Sequence, residues 1–383
     1  MNAALLDDAL AMRRADRDLL SLALLATRNR TLAWFAALEN VARAETEPAW
    51  RLAGRAGWWQ ERWIARNVER ARGAAADMTR APLASIVPEA DDWWAEAPHV
   101  EGPAPDTLRA YLAETLDTTL DLLQRAGDSD DALHWFRAAL FEEDALVLRF
   151  AALAQAARAT AARALLPPRT LRAVRPPIWW PAQRWRLGSE RGGFVPTAER
   201  WAHEEPVPEF EIDAQAVTWQ QFAEFVADGG YDDASLWSGQ GAAWLEGDGR
   251  RTPRDVEQLR HGVMLQRFGT LVRAPMGGAA SMLCWHEADA WCRWAGRRLP
   301  TELEWELAAS RGMSRGMCWG QLPEWTAGRA RAWPGGAIDD AAALRVQRGL
   351  AWFEPRRLAH PKARRFVAAE RDDGFAGFRS CAV

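Results

Sequence analysis

The sequence predicts a two-domain α+β protein: a four-helix bundle over residues 1–165, then a domain of short strands and loops over 183–383. Three observations carry this. At 383 residues the chain exceeds what one hydrophobic core usually organises. Residues 4–165 are rich in alanine, leucine and arginine, with apolar side chains recurring at helical spacing. The stretch 166–182, LPPRTLRAVRPPIWWPA, holds five prolines and almost no helical pattern, and the composition beyond it turns glycine-rich.

The helical half divides into blocks at about 4–28, 47–73, 106–127 and 129–165, with breaks near 45–48, through the proline-bearing 82–105 and at 127–130. Antiparallel packing with one long crossover suits four such blocks, and bundles of this sort build metal sites from side chains on facing helices. Residues 166–182 read as an inter-domain linker held on the surface through Trp179 and Trp180. In 210–231, FEIDAQAVTWQQFAEFVADGGY predicts a strand, a turn and an amphipathic helix opened by Thr218. In 284–309, CWHEADAWCRWAGRRLPTELEWELAA predicts helix, tight break, helix. Trp285, Ala288, Trp291 and Ala295 give the first helix an apolar face, and Gly296 suits its C-terminal end. Pro300 stops continuation, and Thr301 with Glu304 has capping-box spacing.

Composition removes several classes of function. With 52 acidic and 48 basic residues, the formal charge of -4 points to no polyanion partner, and no nucleic-acid motif appears. The N-terminal stretch carries acids early and does not read as a signal peptide, and no run is long enough to span a bilayer, so a cytoplasmic location is expected. Four cysteines (Cys284, Cys292, Cys318, Cys381) lack zinc-like spacing and are expected to be buried free thiols. The chain has 23 tryptophans and only two tyrosines, so its aromatic surface brings N–H donors but little acid–base chemistry.

The wording of 284–309 resembles the hallmark segment of the formylglycine-generating-enzyme-like (C-type-lectin-like) fold. That fold also forms the C-terminal domain of the ergothioneine sulfoxide synthases and the related selenoneine synthases. The resemblance extends over roughly 10–382, and the ERDD-x-F-x-GFRSCA ending is most similar to the selenoneine-synthase branch. It implies a DinB-like bundle at 1–165, a linker at 166–182 and a formylglycine-generating-enzyme-like domain at 183–383. In the family a mononuclear nonheme iron, held by one histidine on the second bundle helix and a His-x-x-x-His pair on the fourth, joins sulfur or selenium to the imidazole of hercynine.

Both iron-bearing segments are recognisable. GRAGWWQERWIARN (54–67) resembles the family's G-H-x-x-W-x-x-E-x-W-I-x-R-N, and ALFEEDALVL (139–148) resembles its A-L-F-H-E-D-M-H-x-E. Carried over position by position, the ligands fall on Arg55, Glu142 and Leu146. Arginine stays protonated and leucine has no donor atom, so the expectation is that no iron binds, although Fe(II) is the family's cofactor. The six histidines (His99, His134, His203, His261, His286, His360) include no i, i+4 pair, and only His134 lies in the relevant helices. Glu142 shares a helical face with Ala139, Leu146 and Phe150, so it is expected to point inward and pair with Arg55 in place of the metal.

The second domain departs from the family in a similar way. LPEWTAGRARAWPGG (322–336) resembles the family's W-E-W-T segment, with Trp333 near the position where relatives carry an acid tyrosine. Arg348, Gly349, Pro355, Arg356, Arg371, Gly377, Phe378 and Arg379 match the family's ending, but Arg365, followed by Phe366 and Val367, stands where an asparagine helps hold hercynine. An arginine there repels a trimethylammonium group. Candidate pocket residues are therefore Arg55, Glu142, Trp325, Arg365, Phe366 and Arg371. His286 reads as a packing or hydrogen-bonded residue, His360 as a loop residue, and the Asp372–Asp373 pair as a turn cap.

These residues favour a family member without oxygenase activity, kept as a binding protein for a small sulfur, selenium or histidine-betaine ligand or as the partner of an active paralogue. The alternative is an active C–S or C–Se bond-forming oxygenase with a rearranged metal site. A third reading is a different enzyme working through Glu142 or an acid of the C-terminal loop.

Overall fold

Four helices form the bundle of the first unit: α2 (Arg17–Leu38), α3 (Ala49–Gln60), α5 (Pro105–Gln124) and α6 (Asp130–Ala156), with short α1 (Ala9–Arg13) and α4 (Ala90–Trp94) beside them. The computed structural model describes residues 3–41, 47–94, 101–169, 171, 173–336, 338 and 343–383; Glu45 and His99 lie outside them. The chain divides into two units. The first is Met1–Leu166 with Gly192–Val195 and Phe353–Leu358, so two short stretches from the later sequence cluster with the bundle.

Local chemistry sets the helix ends. Asp8, Asp16 and Ser129 accept hydrogen bonds from the backbone of Ala11, Leu19 and Ala132, at 2.7, 2.9 and 3.2 Å. Proline opens α5 at its first turn, where its missing N–H costs nothing. The helix α2 runs to Leu38, past the expected end near 28, because Trp34, Phe35 and Leu38 continue its buried stripe. The second block ends early instead. From α3 the chain passes into a π-helical turn, Glu61–Ala65, and the expected helix to 73 becomes a 3-10 stretch, Arg70–Ala75. Gly73 has φ +55° there, and a Cβ would stand 2.7 Å from the Asp131 backbone. The last helix stops at Ala156, not near 165, with Arg158 at φ +54°.

The second unit is Pro167–Arg191, Pro196–Trp352 and Ala359–Val383. One sheet orders β1 (Ile178–Trp180), β4 (Phe210–Ile212), β13 (Cys381–Ala382) and β8 (Arg297–Arg298). Another orders β11 (Arg364–Ala368), β10 (Leu344–Gly349), β9 (Pro323–Arg329) and β12 (Gly377–Phe378). A hairpin joins β2 (Gln183–Leu187) to β3 (His203–Val207), and β5 (Val256–Gln258), β6 (Val263–Arg267) and β7 (Thr270–Ala274) form an antiparallel meander. Helices α7 (Trp219–Ala227), α8 (Gly239–Asp248), α9 (Trp285–Trp294) and α10 (Glu302–Arg311) complete the unit.

Helices α7 and α10 begin at Thr218 and Thr301, each with a full capping box, closed by Gln221 and Glu304. Gly296 follows α9 at φ +62°. Ile178–Trp180, from the stretch read as linker, is a strand: Trp180 is buried and Trp179 is 52% exposed. All four cysteines are buried free thiols.

Candidate functional site

The carboxylate that enters the bundle is Glu143, one residue past the expected Glu142. It accepts from Arg28 Nε at 2.9 Å and Nη2 at 3.1 Å, from Thr31 Oγ1 at 2.8 Å and from Gln60 Nε2 at 2.9 Å. The Arg28–Glu143 pair is buried, at 2% and 1% side-chain exposure, and Arg28 also donates to the Leu112 carbonyl. One position on, Asp144 accepts from Thr27 at 2.6 Å, Arg30 at 3.2 Å and Arg357 Nη2 at 2.9 Å. Adjacent acids on α6 thus reach α2, α3 and the Phe353–Leu358 stretch, satisfying the charges that burial would otherwise penalise.

The expected Arg55–Glu142 ion pair is not formed. Both residues are exposed, and no hydrogen bond or ion pair joins them among the described residues. Glu142 meets solvent, yet its carboxyl sits among enough protein for burial to raise its pKa, opposed by the nearby Arg55 charge. Leu146 is buried, at 8% exposure. A protonated guanidinium, one carboxylate and an aliphatic side chain do not fit a ferrous ion, which needs several neutral imidazole or anionic oxygen donors. No group of three or more His, Cys, Asp or Glu suited to a metal occurs among the described residues. Nearby, Glu61 lies in the π-helical turn and accepts from Tyr111 Oη at 2.6 Å and from the Ile86 backbone at 2.7 Å.

In the second unit Trp333 is the centre of a cationic stack. The Arg364 guanidinium lies 3.6 Å from its ring centroid and Arg348 5.6 Å, with His203 edge-on at 5.5 Å. Two acids one turn apart on α10 hold these cations. Glu302 accepts from Arg364 at 2.9 and 3.0 Å and from Arg348 at 3.3 Å. Glu306 accepts from Arg348 at 3.1 Å, from Trp185 Nε1 at 3.0 Å and from the Gly188 amide at 3.1 Å, and Lys362 pairs with it at 3.2 Å. Burial pushes Arg364 down to about 10. The Trp333 indole N–H is buried without a hydrogen-bond partner among the described residues, and an indole supplies no proton near neutral pH.

The other sequence candidates fall in different surroundings. Trp325 is fully buried in the core, donating to the Leu283 carbonyl at 2.8 Å, which leaves it no pocket face. Arg365 and Phe366 are half-buried on β11, opposite Gln347 and Val346. Arg371 is exposed and paired with Asp373 at 2.8 Å. Asp372 does more than cap a turn: it is buried and accepts from Arg250 at 2.5 Å and Arg254 at 2.6 Å. His360 is buried near Glu199, and His286 is buried with neither ring nitrogen hydrogen-bonded among the described residues, 3.9 Å from Glu370. An open groove of about 970 Å³ runs beside α9 and α10, lined by Trp285, Asp289, Arg298, Thr301 and Arg331 among others, and none of the sequence candidates lines it.

Sequence reasoning missed Arg28, Glu143, Asp144 and Glu287. Glu287 is fully buried, accepts from Tyr231 Oη at 2.6 Å and the Cys284 amide at 2.8 Å, and is pushed by burial up to about 7. The Cys284–Glu287 spacing was the available signal for that acid. No local pattern separates Glu143 from its neighbour Glu142.

Comparison with known proteins fits the second unit. Residues 177–321 match the family described as Sulfatase-modifying factor enzyme 1-like domain. The chain is 34% identical over 148 residues to the hercynine oxygenase of Mycolicibacterium smegmatis, covering 38% of this chain and 31% of that protein. It is 34% identical over 165 residues to the formylglycine-generating enzyme of Mycobacterium tuberculosis, covering 37% of this chain and 53% of that protein. The chain thus spans about a third to a half of the length of these relatives. Among solved structures, PvdO from Pseudomonas aeruginosa aligns at TM-score 0.34 and 15% identity, covering 56% of this chain and 98% of that one. No helix among the described residues is long and apolar enough to cross a membrane. The chain therefore carries a Sulfatase-modifying factor enzyme 1-like domain at residues 177–321 and is a homologue of hercynine oxygenases and formylglycine-generating enzymes.

Proposed function

We propose that this chain is a non-catalytic homologue of the hercynine oxygenases, closest to a selenoneine-synthase type, that no longer binds iron. On this reading residues 1–165 are a DinB-like bundle, 166–182 a connector and 183–383 a formylglycine-generating-enzyme-like domain, working in the cytoplasm. The single observation that carries it is the donor set. Arg55, Glu142 and Leu146 occupy the positions that match the family's three histidines, and together they offer one carboxylate to a metal. The replaced acid position supports the reading too, since Trp333 provides no ionisable hydroxyl and sits under Arg364. Arg365 at the asparagine position favours a ligand without a trimethylammonium group, so a small sulfur or selenium metabolite, or an active paralogue, is the expected partner.

The test is metal content after aerobic and anaerobic purification, with Fe(II) added back and excess removed by desalting. The expected result is no stoichiometric iron, and no oxygen consumption with hercynine and a thiol or selenosugar. One retained iron per chain with substrate-dependent oxygen uptake would instead establish an active oxygenase with a rearranged site.

A further inference from the structure

Buried arginines of the second unit hold carboxylates as a rule: Arg348 pairs with Glu302 and Glu306, Arg364 with Glu302 and Arg379 with Glu324. Two half-buried arginines lack such partners among the described residues and lie together. Arg267, at the end of β6, donates through Nη2 to Ser281 Oγ at 3.1 Å and through Nη1 to the Gln266 carbonyl at 3.3 Å. Arg169 donates through Nη2 to the Ala279 carbonyl at 3.3 Å and rests over the Trp352 ring at 4.9 Å. Both guanidiniums therefore converge on the 279–281 segment, near enough for the charge of Arg169 to be felt at Arg267. Neither makes an ion pair among the described residues, and the Asp255 charge opposes the effect of burial at Arg267.

Burial pushes both groups down to about 10. Like charges placed side by side and partly removed from water repel more than they would at the surface. Of the five N–H donors each carries, most meet no protein acceptor among the described residues. The surroundings are aromatic: Trp352 meets Phe375 edge-on at 6.0 Å, and Phe375 stacks on Phe268 at 5.8 Å. Phe268, Met282 and Phe375 all adopt positive φ (46°, 66° and 57°), a left-handed backbone that non-glycine residues adopt at a cost and that recurs around ligand clamps.

The charge count selects the ligand. A carboxylate brings one negative charge, whereas a phosphate monoester carries about 1.5 to 2 near neutral pH and three acceptor oxygens, enough for two guanidinium forks. We propose that Arg169 and Arg267 form a binding site for the phosphoryl group of a small phosphate monoester, with its organic part against Trp352. The site is independent of any metal.

The test is calorimetric titration of the full chain with inorganic phosphate and with phenyl phosphate, at ionic strength fixed with chloride. Saturable binding is expected for both, tighter for phenyl phosphate. Arg169→Met and Arg267→Met should each weaken binding about tenfold or more, the loss expected for charged hydrogen bonds, while Arg251→Met, at an exposed arginine paired with Asp232, should not. If Arg267→Met fails to fold, Arg267→Lys keeps the charge but loses the fork and should still weaken phosphate. Absence of saturable phosphate binding would overturn the proposal. So would unchanged affinity in folded Arg169 and Arg267 variants, or tighter binding of malonate than of either phosphate, which would make the site a dicarboxylate clamp.

Discussion

Replacing Glu143 by glutamine tests what holds the bundle together. The wild-type carboxylate neutralises Arg28 through two hydrogen bonds and takes two more from Thr31 and Gln60, with both charges essentially out of water. The amide keeps one acceptor oxygen but turns an NH2 toward donors, and it leaves Arg28 buried without a counter-charge. Breaking a buried pair from one side costs about 3–5 kcal/mol. For a unit of this size each kcal/mol lowers the midpoint by about 2–4 °C, so a loss of roughly 10 °C is expected. Urea unfolding followed by helical circular dichroism measures the change directly. The double variant Arg28→Met with Glu143→Leu removes both charges and should recover most of the loss, since a buried pair exchanged for apolar side chains is often near neutral. A Glu143→Gln loss below about 1 kcal/mol, or a double variant no better than the sum of the single ones, would refute the assignment of this pair as the tie at the bundle's centre.

Two further outcomes are expected. In the folded chain Glu287 holds its proton up to about 7, against an ordinary value of 4.5, so the unfolded chain releases it first as pH rises. Stability should therefore fall as pH rises from about 4.5 through 7 and then level off, by about 3 kcal/mol at most from this group. Glu287→Gln should remove that slope in denaturant melts across the window, and a variant as pH-dependent as wild type would show that the acid ionises freely. The triple variant Arg55→His, Glu142→His, Leu146→His restores an i, i+4 imidazole pair on α6 facing a third from α3, and should retain Fe(II) through desalting where wild type does not. Equal iron in both proteins would mean that these positions do not correspond to the family's ligands.

The features legible in the sequence were those with short-range causes. Thr218 and Thr301 cap their helices because the hydroxyl and the residue three positions on are fixed by local geometry, and Gly296 takes the positive φ that a helix end asks for. Where the outcome turned on side chains distant in sequence, the sequence was silent. Glu142 and Glu143 are chemically alike, and only the 115-residue reach to Arg28 decides that the second faces inward. The end of the second helix was hidden for a related reason. Apolar spacing runs on past residue 60, but the π-helical turn at Glu61–Ala65 and the positive φ at Gly73 are set by tertiary contacts to Tyr111 and Asp131. Arg169 and Arg267 stand 98 positions apart, and nothing in either neighbourhood signals that they converge.

That division also runs through the segment that resembles the family's iron motif. In the F-H-E-D-M-H pattern, the Glu and Asp positions are occupied by Glu143 and Asp144, and both carry buried ion pairs that the bundle needs whatever it binds. The positions that resemble the family's histidines carry Glu142, exposed, and Leu146, which packs as an ordinary aliphatic side chain. The same holds in the second unit. Arg379 of the G-F-R ending and Glu324 of the E-W-T segment are locked together at 2.8 Å with the Trp305 indole donating to the same acid, so they serve the fold directly. Of the residues that match the family, Glu143, Asp144, Glu324 and Arg379 are ones whose loss would leave a charge or a hydrogen-bond donor stranded in the interior, whereas Arg356 and Arg371 are exposed. The positions that resemble the histidines carry no such tie: Glu142 makes no ion pair among the described residues and Leu146 needs only apolar neighbours, so the bundle's buried charges do not fix which residue stands there.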